Sequence, residues 1–139
     1  MVTKTNAGPD SRNLYQRLNA VMKKVGYVQK ESERVNNQYR FVSHDAVVGA
    51  LRGPITDEGI FVETTVSKMS QDGNRTVAEV ELTFVNIDNP EDRISVSCCG
   101  YGIDSQDKGP GKAISYAVKY GLLKNLLLET GDDPERDDV

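Results

Sequence analysis

Lys108-Gly109-Pro110-Gly111-Lys112 opens a helix-patterned segment, and a glycine-lysine run in that place invites phosphate chemistry. It is not a Walker loop. Such a loop needs a glycine where Gln106 stands and a magnesium-holding hydroxyl where Ala113 stands. Gly100-Tyr101-Gly102 is no dinucleotide fingerprint either, because Ser105 holds the place of the third glycine. No nucleotide cofactor is therefore expected. A simpler phosphate chemistry survives: Gly109 and Gly111 let backbone approach a ligand, and a helix start offers free N–H groups and a positive dipole end. Lys112 and Lys119 lie seven residues apart on one helical face, with Ser115 and Tyr116 between them. That is a ladder of phosphate donors with one stacking ring, the combination that holds nucleic-acid strands. The same residues also suit a glycine hinge with lysines lying over a solvated face.

Other candidates are poorer in partners. Asp104 and Asp107 with Asp132 and Asp133 suggest a magnesium-dependent nuclease, but no further carboxylate, His or Lys completes a two-metal spacing. Aspartates in loops are mostly turn formers. His44, the single histidine, precedes Asp45 at a strand-to-helix junction and reads as a capping or surface residue rather than a general base. Tyr39-Arg40 with His44 and Arg52 forms a possible second cationic-aromatic patch. Cys98 and Cys99 are adjacent, cannot easily bridge, and suit a reduced compartment and a strand packed on both faces.

The charge balance looks wrong for a nucleic-acid partner. The chain of 139 residues carries a net charge of -4 and a pI near 5.0. The distribution reverses that impression. Five of the 21 acids and one of the 17 bases lie in residues 130–139, which leaves 16 of each. Residues 11–30 hold Arg12, Arg17, Lys23, Lys24 and Lys30 and no acid, and residues 108–128 hold Lys108, Lys112, Lys119 and Lys124 and no acid. Residues 57–92 hold nine acids against Lys68 and Arg75. Two basic helices are compatible with a polyanion, or with two ordinary solvated faces.

The elements that must position these residues follow from periodicity. Residues 1–12 read as a polar tail and 130–139 as an acidic one, with a single domain over 13–129. Leu14, Leu18, Val21, Met22 and Val25 recur at helical spacing behind an Asn13 cap, and Gly26 ends the run. Residues 31–37 read as loop, and Tyr39, Phe41 and Val42 as a short strand. Ser43-His44-Asp45 caps a second helix that Gly53-Pro54 should interrupt or close. Three alternating segments follow, from Ile60, Thr76 and Ile94, joined by an Asp72-Gly73 turn and an Asp88-Asn89-Pro90 turn. Residues 100–111 read as a loop and 112–128 as a helix that Gly131 and Pro134 stop. The sum is an α+β fold: a three-stranded antiparallel β-meander with a short extra strand and helices on one face. No apolar run is long enough to span a membrane, and the N-terminus lacks a secretory apolar region.

With these residues in place, the chain resembles the ERF (essential recombination function) family of phage single-strand annealing proteins from about Leu14 to Asp133. The resemblance rests on Gln38-Tyr39-Arg40-Phe41-Val42-Ser43, the meander, Gly102-Ile103-Asp104 and Asp107-Lys108-Gly109. Its most specific part is Lys112-Ala113-Ile114-Ser115-Tyr116-Ala117-Val118-Lys119-Tyr120, with Gly131-Asp132-Asp133. It implies an ATP-independent protein, not an enzyme, that coats single-stranded DNA and pairs it with its complement in phage recombination. It also implies a β-β-β-α core like that of the ring-forming annealing proteins, and a homo-oligomeric ring or filament in the cytoplasm of a bacterial host. A phage exonuclease or host single-strand binding protein is a candidate further partner. By position the DNA-facing residues are Lys108, Lys112 and Lys119, with Arg40 and Arg52. One departure stands out: Val118 occupies a place where the family often has a basic residue, so the contact leans more on Lys119. The rival readings are a metal-dependent nuclease and a purely structural oligomerisation module.

Overall fold

The computed structural model describes residues 10–29, 34–35, 39–40 and 42–130, with 34, 35, 39 and 40 as backbone alone. Asn13 caps α1 (Leu14–Lys24) as its position predicts. Its side chain accepts from the Gln16 N–H at 2.9 Å, and the Gln16 side chain accepts from the Asn13 N–H at 2.8 Å. β1 (Arg34–Val35) pairs antiparallel with β2 (Tyr39–Arg40), so part of the expected loop over 31–37 is a small hairpin strand. Ser43 caps α2 (His44–Asp57), accepting from Ala46 N–H at 3.0 Å. Pro54 does not close this helix. Val47, Leu51 and Ile55 form a stripe buried at four-residue steps, and its burial outweighs the one ladder bond that proline removes.

The meander follows as β3 (Ile60–Asp72), β4 (Arg75–Asn86) and β5 (Arg93–Ile103), in that spatial order and antiparallel throughout. Asp72 pairs with Arg75, so the turn residues are Gly73 and Asn74, one step beyond the expected Asp-Gly centre. Gly73 supplies the positive φ of 62° that this turn needs at its first position. β5 runs four residues past the expected strand end. Gly100 to Ile103 looked like loop because glycines disfavour strands, yet each is in register with β4 between Arg75 and Ala78.

α3 (Gly109–Asn125) also starts and ends three residues earlier than the sequence suggests. Its stop is Leu127, which takes the left-handed conformation at φ 55° while the Leu128 N–H bonds Leu123 O at 2.9 Å. Gly131, Pro134 and the acidic residues after them lie outside the described residues, as do the side chains of Tyr39 and Arg40.

The helices pack on one face of the sheet, and the core lies between. Leu82, Val80, Phe84 and Ala78 of β4 meet Ala113, Ala117, Val118 and Leu122 of α3, with Leu51 and Val47 of α2 and Leu14 and Val21 of α1 closing the sides. α3 sits over β4 and β5 on four glycines. A Cβ on Gly100 would lie 2.2 Å from Ala113 O, and one on Gly102 would lie 2.3 Å from Gly109 O. Gly109 is likewise pressed on Thr76 Oγ1 and Gly121 on Leu82 and Cys98. Away from Thr83 and Val85, which are buried, the opposite face is open. It carries Glu79 and Glu81 of β4 in register with Lys68 and Thr65 of β3, and Cys99 and Ser97 of β5. The cysteines therefore divide between a packed face and a wet one, instead of both being packed. Cys98 sits against Gly121, where burial pushes its thiol up from the ordinary range, and Cys99 is exposed.

Folding also accounts for one of the two basic helices. Arg17 of α1 is fully buried, with its Nη2 2.8 Å from Asp88. Arg12 pairs with Asp10 at 2.7 Å and with Glu58 at 2.5 Å, and Lys24 pairs with Glu58 at 2.6 Å. Arg12 holds the Asp10 carboxyl well below the usual carboxylate range, and Lys24 and Arg12 lower that of Glu58. The segregated signs of residues 11–30 and 57–92 are thus partners in one fold: these α1-side bases are structural.

Candidate nucleic-acid interface

α3 keeps its cations on the surface. Its buried positions, Ala113, Ala117, Val118, Gly121 and Leu122, leave Lys112, Ser115, Tyr116 and Lys119 on the flank that faces α2. Ser43 and His44, at the cap and first residue of α2, form the other wall. Together the six line an open pocket of about 220 Å³. Its chemistry is cationic and aromatic: two ammonium groups, two hydroxyls, an imidazole and a phenol ring. His44 Nδ1 stands 3.4 Å from Asp45 Oδ1.

The aromatic part is larger than Tyr116 alone. Tyr116 and Tyr120 have ring centroids 4.8 Å apart, and Lys119 Nζ lies 5.6 Å from the first and 4.9 Å from the second. Tyr116 is 42% exposed, so one cation-backed ring is presented to solvent. Tyr101 of β5 extends the row, 6.5 Å from Tyr116 in an edge-to-face arrangement. Arg75 of β4 lies over the Tyr101 ring at 4.6 Å.

Lys112 is held rather than free. Its Nζ donates to Asp104 Oδ2 at 2.9 Å and to Ile103 O at 3.2 Å. Lys112, with the Gln106 N–H on the other oxygen, lowers the Asp104 carboxyl below its ordinary value. Asp104 is therefore ionised at neutral pH and pins the lysine at the groove rim.

The sequence-derived residues divide cleanly. Lys112, Ser115, Tyr116 and Lys119 come together, and His44 joins them. Arg52 is exposed farther along α2 and does not line the pocket. Arg40 has only its backbone described, paired with Arg34. Lys108 is exposed at the α3 N-cap, outside the pocket lining. Gly109, expected to let a ligand approach, instead lets Thr76 approach, whereas Gly111 does face open space. Ser43, Arg75, Tyr101 and Tyr120 were not singled out for binding. A tyrosine between two helix-facing glycines was a visible signal, but its arginine is found only through the β4–β5 register. Val118, at the family's frequent basic position, belongs to the core, where a cation would need a partner.

The family profile of the ERF superfamily matches residues 14–139. The chain belongs to the ERF superfamily. Membership of that family points in general terms to recombination and single-strand annealing. No curated protein matches the chain. Among solved structures it is similar to an LEH-like epoxide hydrolase of M. tuberculosis, at 17% identity and a TM-score of 0.31, over 81% of this chain and 82% of that one. So low a score carries no argument. Among the described residues no group of three or more His, Cys, Asp or Glu could hold a metal ion, and no helix is long and apolar enough to cross a membrane.

Proposed function

We propose that this ERF protein binds single-stranded DNA along the α2–α3 groove and anneals it to its complement without ATP, as a homo-oligomeric ring or filament in phage recombination. The observation that carries the reading is the fate of the two basic helices. Arg12, Arg17 and Lys24 are turned back onto Asp10, Glu58 and Asp88 within the fold, whereas Lys112, paired with Asp104 at the rim, and Lys119 line an open groove beside a solvent-facing ring. Lysines neutralise phosphates and Tyr116 stacks on a base, which leaves the base's pairing edge turned outward for the search. Repetition of the groove in an assembly lengthens the cationic track along the strand. The chemistry is base pairing itself, so no catalytic residue is needed.

The test is annealing of labelled complementary oligonucleotides without ATP, with mass measurement of the assembly. Lys112→Ala with Lys119→Ala is expected to weaken single-strand binding roughly tenfold at low salt, and to make the log–log salt slope shallower by about 1.4. Unchanged affinity in the double variant would remove the groove from the site, and a wild type without affinity or annealing would remove the function. Magnesium-dependent, EDTA-sensitive cleavage by pure protein would replace it with a nuclease.

Asp104 sets how available Lys112 is. Asp104→Asn keeps an acceptor for the Gln106 N–H but removes the charge that competes with phosphate. The variant should bind oligo(dT) severalfold more tightly at low salt, and the advantage should shrink as salt screens it. Equal or weaker binding at low salt would show that the pair positions Lys112 instead of restraining it.

A further inference from the structure

Tyr101 is an odd residue for a strand whose neighbours are stripped to glycine. Gly100 and Gly102 face α3 so closely that neither tolerates a Cβ, and alternation puts Tyr101 on the opposite face. β5 is an outer strand, so the ring reaches Tyr116 past its free edge. Tyr101 remains 46% exposed, and Arg75 covers it from β4 at 4.6 Å. The packing of the core does not call for this aromatic side chain.

Resting on the single-strand reading above, we propose that Arg75 and Tyr101 form a second nucleotide-binding step, which leads the DNA strand from the α2–α3 groove around the β5 edge toward the open face of the sheet. The unit repeats the chemistry of Lys119 with Tyr116: a cation for the phosphate and a ring for the base. The guanidinium offers several donors, so it contacts a phosphate while staying near the ring. The rings of Tyr101 and Tyr116 meet edge to face, with their planes 69° apart. Bases seated on the two rings therefore cannot stack on each other and are held singly, ready to pair.

The protein contains no tryptophan, so Tyr101→Trp places one unambiguous indole at the step. Titration with oligo(dT) is expected to quench its emission. Tyr101→Ala should weaken binding by about tenfold with an unchanged salt slope, whereas Tyr101→Phe should bind like the wild type. Arg75→Gln should make the slope shallower by about 0.7. Wild-type affinity in Tyr101→Ala, or a saturated complex with unquenched Trp emission, overturns this step and leaves the groove standing. Absence of oligo(dT) binding by the wild type itself overturns both.

Discussion

Arg17→Met is expected to lower the stability of the protein by roughly 3–5 kcal/mol, the range for removing one member of a buried ion pair. Asp88 is the lesser loss, since it is partly exposed and water can take over its solvation. The larger one is a set of carbonyls. Arg17 Nε donates to Arg12 O at 3.0 Å, Nη1 to Gly59 O at 3.0 Å and Glu58 O at 3.4 Å, and Nη2 to Asp10 O at 2.9 Å. One guanidinium thus ties the chain before α1, the end of α2 and the β4–β5 turn together. Methionine fills much of the volume and donates to none of them. Gly59 O keeps the Ile87 N–H and Arg12 O keeps Asn86 Nδ2. Glu58 O and Asp10 O lose the guanidinium, and a buried acceptor left unpaired costs about 1–3 kcal/mol. Thermal unfolding should show a midpoint lowered by roughly 10 °C or more. Arg17→Lys should recover little, because an ammonium cannot reach a fork of carbonyls in three directions. A midpoint within a few degrees of wild type for Arg17→Met would mean the polar groups find other partners.

Gly102→Ala should be the second severe change, and it should reach function through structure. The new methyl would lie 2.3 Å from Gly109 O and 2.7 Å from Ala113 N, and Gly100→Ala would lie 2.2 Å from Ala113 O. These obstacles are helix backbone, so α3 must lift from β5. Overpacking of this kind costs about 1–3 kcal/mol or more. Because α3 carries Lys112, Tyr116 and Lys119 while the pocket's other wall belongs to α2, lifting it also spoils the groove. Gly102→Ala should therefore lose both unfolding midpoint and single-strand affinity. Gly111→Ala is the control: nothing lies within 4 Å of its Cβ position, and alanine in a first helical turn is neutral or slightly stabilising. Equal midpoints for the two variants would refute the close-packing account.

Much of this was legible before folding, for reasons that can be named. Amphipathic periods exposed α1 and α3, Asn13 and Ser43 are caps by chemistry, and alternation from Thr76 to Val85 is a half-buried strand. The groove cations were also legible, because Lys112, Ser115, Tyr116 and Lys119 are neighbours on one helix. What the sequence hid was long-range. Gly100 and Gly102 look like a loop unless α3 is already lying on them. Pro54 looks like a helix end unless the stripe through Ile55 is known to be buried. Arg17 is indistinguishable in sequence from Lys23, yet one is fully buried and the other exposed. Arg75 and Tyr101 are 26 positions apart and meet only through the β4–β5 register.

The placement of charge gives the molecule a direction. Glu79 and Glu81 look out from one side of the sheet while the lysines of α3 sit beyond its other side. With a net charge of -4, the protein as a whole repels a polyanion, but it does so unevenly. On the proposed reading, a DNA strand approaching the sheet at Glu79 and Glu81 is turned away, and one approaching α3 or the Arg75–Tyr101 pair is drawn in. The charge arrangement acts as an orienting torque before any contact forms, so that productive encounters come from one side.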